Sequence, residues 1–173
     1  MSKWALTNTK LWALSTIWQT LLLTFLSGIL IGGLTFLGQG ILSGSFNQIA
    51  NSGAVWVTVA FFLVSLATRQ QLAIIAGTAT LMGEVIGYYG LALFKYGLPD
   101  SYNYVVLWLI VGVIFGPLFG IAGMWWRSAD FMRSIIAIAM LSATFIAEGM
   151  YYLSYTMYRR VLGVSLLDCS CFS

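Results

Sequence analysis

Long apolar stretches, separated by short clusters of charged or turn-forming residues, organise this chain. From about Leu11 to Leu37 there is no charged residue, and Lys3 and Lys10 stand just ahead. A helix needs about 20 mainly apolar residues to cross the hydrocarbon core of a bilayer, so this stretch is expected to be a first span. A signal peptide is the competing reading, but the run is longer than a signal core and lacks an A-x-A cleavage site. Further spans are expected at about 53–68, 72–94, 104–126 and 135–158. Turn chemistry separates them: Arg69-Gln70-Gln71, the Gly97–Pro99–Asp100 loop, and Arg127, Asp130 and Arg133. The stretch 38–51, rich in Gly, Ser and Asn, carries Ile41, Leu42 and Phe46 and reads as an interfacial or re-entrant segment. Pro117 should bend the fourth span, because it removes an intrahelical hydrogen bond. After Arg159-Arg160, the run Val161–Leu167 is too short to cross and reads as the stump of a sixth helix.

The pattern therefore predicts an all-α, polytopic transmembrane bundle forming one membrane domain over residues 1–173, with about five spans and a C-terminal stump. Composition agrees: 60% of residues are hydrophobic, 8% are charged and the mean hydropathy is +0.92. A soluble domain would carry about a quarter charged residues. The net charge of +3 is scattered over span ends, which suits topology and not nucleic-acid binding. Lys3, Lys10, Arg69, Arg127 and Arg133 fall on one side, against Lys95, Arg159 and Arg160 on the other. By the positive-inside rule this places the N terminus in the cytoplasm and the chain in a cell membrane.

Candidate chemistry is sparse. There is no histidine, and Cys169 and Cys171 are two thiols alone, so no metal site and no cofactor are expected. Lone hydroxyls such as Ser27 and Ser65 have no evident base, so the chain is not expected to be an enzyme. What remains is two carboxylates inside apolar stretches, Glu84 and Glu148. A charge at bilayer depth costs several kcal/mol, so such residues face a bundle interior or a polar cavity. Thr80 and Tyr88 lie one turn either side of Glu84, and Tyr152 lies one turn after Glu148. The expectation is a solute pocket between the third and fifth spans, built on Glu84, Glu148, Tyr88, Tyr152 and Thr80. Trp56 is a candidate wall, and Asn51 stands at the mouth of the second span. The alternative is that the glutamates are hydrogen-bonded and hold helices together.

Small residues repeat at four-residue spacing: Gly28 and Gly32, then Ala79, Gly83 and Gly87, then Gly112, Gly116 and Gly120. Each makes a smooth stripe where helix backbones approach closely, within the molecule or between copies or partner subunits. The expected partners are thus the bilayer, a small solute and a second copy or a membrane subunit.

Two segments, Asn51-Ser52-Gly53-Ala54-Val55-Trp56 and Gly87-Tyr88-Tyr89-Gly90, resemble those of an uncharacterised family of small bacterial integral-membrane proteins. That resemblance covers about forty residues and implies a bacterial membrane location. Size and helix count are similar to those of the substrate-binding subunits of energy-coupling-factor transporters, which have six helices. This chain departs from them in lacking a complete sixth helix.

Overall fold

In a computed structural model, residues 3–43, 45–50, 52–67, 69–97 and 102–161 are described. Residues 162–173, with Cys169, Cys171 and all of the predicted stump Val161–Leu167 but Val161, and Asn51 lie outside them. Six helices follow in order: α1 Lys3–Ile41, α2 Ser45–Ala50, α3 Gly53–Val64, α4 Gln70–Tyr96, α5 Tyr102–Trp126 and α6 Phe131–Val161. Among the described residues, four helical segments are long and apolar enough to cross a membrane: Ile17–Ile41, Gln70–Tyr96, Tyr102–Trp126 and Phe131–Tyr158. The chain is an integral membrane protein built as a helical bundle.

The expected second span is the exception. It is the 12-residue α3, about 18 Å long at 1.5 Å per residue, where about 30 Å is needed. It ends in turns in which Ser65 N–H donates to Phe62 O and Ala67 N–H to Val64 O, and Arg69 is the N-cap of α4. The predicted Gly-rich connection is also different. α1 continues past Leu37 to Ile41, and α2 then packs its Ala50 Cβ near Gly38. Asn47 Nδ2 donates to Gln39 O at 2.6 Å and Leu42 O at 3.2 Å, satisfying carbonyls that the end of α1 leaves open.

Helix directions follow from the glycine contacts. Gly28 lies against Thr80 and Gly32 against Glu84, so α1 and α4 run parallel. Gly112 meets Leu81 and Met82, Gly116 meets Gly77 and Thr78, and Gly120 meets Ala73, so α5 runs antiparallel to α4. Gly53 lies beside Trp108 and Gly123 beside Phe61, which makes α3 parallel to α5. The short α3 thus returns the chain from the far end of α1 to the near end of α4. α4 carries a glycine seam on each side, with Gly83 and Gly87 towards α1 and Gly77 towards α5. Those stripes serve packing within the molecule.

The largest apolar core gathers Trp56, Val57, Ala60 and Phe61 of α3 with Leu81 and Val85 of α4, and with Phe119, Ala122 and Ala137. α6 is the outlying helix, packed on α5 and α3. Arg69, Arg127 and the exposed Arg133–Asp130 pair (3.4 Å) stand at one end of the bundle, and Lys95 at the other.

Candidate functional site

The two membrane-depth carboxylates have different surroundings. Glu148 Oε2 accepts hydrogen bonds from Ser52 Oγ and from the Ala54 backbone N–H, each 2.8 Å. Ser52 is the N-cap of α3, and its Oγ also accepts from Val55 N at 3.2 Å. The first turn of a helix presents unpaired N–H groups and a partial positive charge, and in a bilayer there is little water to meet them. Glu148 supplies the missing acceptor from α6.

Glu84 is 0% exposed, and neither carboxyl oxygen has a hydrogen-bond partner. Gly28 and Gly32 bring the α1 backbone directly onto its turn of α4. Among the described residues, the other buried side-chain polar atoms without a partner are Trp56 Nε1 and Gln39 Nε2. Tyr88 links these groups. It lies one turn after Glu84, its hydroxyl donates to Gln39 Oε1 at 2.6 Å, and its ring centroid is 6.0 Å from that of Trp56. Tyr88 thus stands at a junction of α1, α3 and α4, touching Gln39 and Trp56 and following Glu84 by one turn of α4. Buried polar groups are normally paired, and each exception calls for an explanation.

Aromatic rings continue from the junction to the bundle end. Tyr88 meets Phe36 edge-on at 5.7 Å, and Phe36 meets Tyr96 at 5.9 Å. Lys95 Nζ lies 5.0 Å from the Tyr96 ring centroid and 5.8 Å from that of Phe36. Ring faces attract cations, and here two of them hold the Lys95 ammonium.

The pocket that holds Glu148 does not reach Glu84. α4 packs on α1, α5 and α3, while α6 packs on α5 and α3, so α3 and α5 stand between the two carboxylates. Glu148 and Tyr152 instead line a separate pocket of about 430 Å³ with Gln48, Ser52 and Val55. Tyr152 OH donates to Gln48 O at a long 3.4 Å. Thr80 is fully buried, but its hydroxyl donates to Ala76 O at 2.9 Å in its own helix, so it offers the junction little. Tyr88 follows Glu84 by one turn of α4, and Trp56 packs on Tyr88. Asn51 lies outside the described residues. Gln39 is not a candidate in the sequence because its neighbours Gly38 and Gly40 read as a loop, although an amide inside the uncharged stretch Leu11–Thr68 is a usable signal. Among the described residues no three of His, Cys, Asp and Glu come together as a metal site.

Glu84→Met follows as a prediction. No hydrogen bond is lost, and an unpaired polar group is replaced by an apolar one of similar length. The variant should unfold at a higher temperature, by an equivalent of about 1–3 kcal/mol, as read by thermal unfolding in detergent.

Comparison with curated proteins and with solved structures gave no match. The model of a family of unknown function, DUF6518, matches residues 13–165, and the chain belongs to that family.

Proposed function

We propose that this protein binds a small polar solute, and passes it across the bilayer, at the α1–α3–α4 junction around Glu84. The observation that carries the reading is the set of unmet polar atoms there: Glu84 Oε1 and Oε2, Trp56 Nε1 and Gln39 Nε2. A solute offering a donor to the carboxyl group and an acceptor to the indole and amide would satisfy all of them. Small amines and zwitterions have that chemistry. The run Tyr88–Phe36–Tyr96 ending at Lys95 supports an approach from that end of the bundle. The protein acts without covalent chemistry and needs no cofactor. Its setting is a bacterial cell membrane, with the arginine-bearing end of the bundle and the N terminus in the cytoplasm. The reading draws on the junction and takes nothing from the likeness in helix count to energy-coupling-factor subunits.

A second reading is a membrane packing or partner subunit whose glutamates are structural. The capping of α3 by Glu148 favours it.

Thermal unfolding of the purified protein and of Glu84→Gln, across a panel of amines, amino acids, vitamins and cations, separates the two. A ligand at a hundredfold excess over its dissociation constant stabilises the folded state by about 2.7 kcal/mol. The transport reading expects at least one compound that stabilises the wild type and leaves Glu84→Gln unmoved. If every compound shifts both proteins equally, or none shifts either, the packing reading stands.

A further inference from the structure

A second space lies among α3, α4, α5 and α6, and it has the opposite chemistry. It measures about 150 Å³, and almost no polar atom faces it. Trp56 and Trp108, with ring centroids 5.4 Å apart, form part of its wall, and Leu81, Val85 and Phe119 line its inner side. Thr144 is the one hydroxyl in the lining, and it donates to Met140 O at 3.0 Å in its own helix. Trp56 thus shows ring carbons to this space. Water needs two to four polar partners to occupy a cavity, and an apolar cavity of about this size stays dry and takes up a hydrocarbon. Left empty, it costs the lining side chains their dispersion contacts on one side.

Its position decides which hydrocarbon. Val111, Gly112 and Phe115 belong to the middle of α5, Tyr102–Trp126, and so to the middle of the bilayer. Phe115 is exposed, as are its neighbours Leu107, Ile110, Ile114 and Leu118 on the same helix. The surroundings at that depth are acyl-chain ends. We propose that this cavity is a binding site for the end of a lipid acyl chain, entering from the bilayer past Phe115. The inference is independent of the solute reading, because Trp56 is the one residue the two have in common.

The test is tryptophan fluorescence of the full chain in vesicles of phosphatidylcholine, either unbrominated or brominated near the acyl-chain ends. Val111→Phe and Thr144→Leu each fill the cavity, and both keep all seven tryptophans. Two of the seven wall the site, so brominated lipid should quench the wild type more than either variant, by up to about two sevenths of the signal. The two variants approach the cavity from different helices, so one that fails to fold leaves the other to decide. Equal quenching of the wild type and a folded variant overturns the proposal. It is also overturned if quenching is equal while benzene raises the unfolding temperature of the wild type alone, since the cavity would then take free small molecules.

Discussion

Gly32→Leu should abolish recovery of folded, monodisperse protein, and even Gly32→Ala should lower the unfolding temperature sharply. A Cβ built at Gly32 would lie 2.7 Å from the Glu84 carbonyl carbon and 2.8 Å from its Cα, where real Cβ contacts essentially never fall below 3.0 Å. The neighbours are backbone, so no side chain can swing aside. The helices themselves must part. Forcing one methyl group into a packed core costs about 1–3 kcal/mol, and here the strain extends along a seam that also contains Gly28, Gly83 and Gly87. Gly90→Ala is the matching control: a Cβ there meets nothing within 4 Å. Size-exclusion profiles and thermal unfolding of the three variants in one detergent would decide it. An unchanged profile for Gly32→Leu would mean that α1 and α4 do not pack through this face.

The second large effect concerns Glu148. Glu148→Ala should lower stability by about 2–3 kcal/mol, the range for hydrogen bonds to a charged acceptor combined with loss of a helix N-terminal anion. Glu148→Gln keeps one acceptor oxygen and should recover part of the loss. The carboxylate is half-buried, which keeps the figure at this level and not higher. Amide hydrogen exchange adds a local reading, because the Ala54 N–H should lose protection in Glu148→Ala while the amides of α4 keep theirs. Uniform loss of protection throughout the bundle would count against a cap confined to α3. Set beside the stabilisation expected for Glu84→Met, this gives two glutamates of similar sequence setting with opposite consequences.

That contrast also marks what the sequence makes legible. α4, α5 and α6 stand out because Arg69, Lys95, Arg127 and Arg133 bracket apolar stretches of span length free of lysine and arginine, and the helices found there differ from the expected bounds by four residues or fewer. α3 was drawn too long, since Ser65, Leu66 and Ala67 are apolar or small enough to extend the pattern while their backbone already turns. The functions of the acids were not legible at all. Glu84 and Glu148 each lie within an apolar stretch, with a tyrosine four residues on. What separates them is distance in the chain: Glu148 meets a helix start 94 residues earlier, and Glu84 meets a glycine stripe of α1. The placement of α3 and α5 between them is a property of the assembled bundle, and no local pattern carries it.

The capping of α3 from α6 has a consequence for the order in which the molecule is made. Ser52 leaves the ribosome 96 residues before Glu148. Throughout that interval α3 is a helix about 18 Å long, with its first turn open and too short to hold a transmembrane position by itself. α1 and α4 can already pair through their glycines once Gly87 has emerged. The nascent chain therefore passes through a stage in which α1, α3, α4 and α5 can pack while the first turn of α3 still lacks its acceptor, and translation of the last helix supplies it. A cysteine placed in the first turn of α3 should react with thiol-labelling reagents on a ribosome stalled before codon 148, and should be protected once a C-terminal linker has carried α6 clear of the exit tunnel.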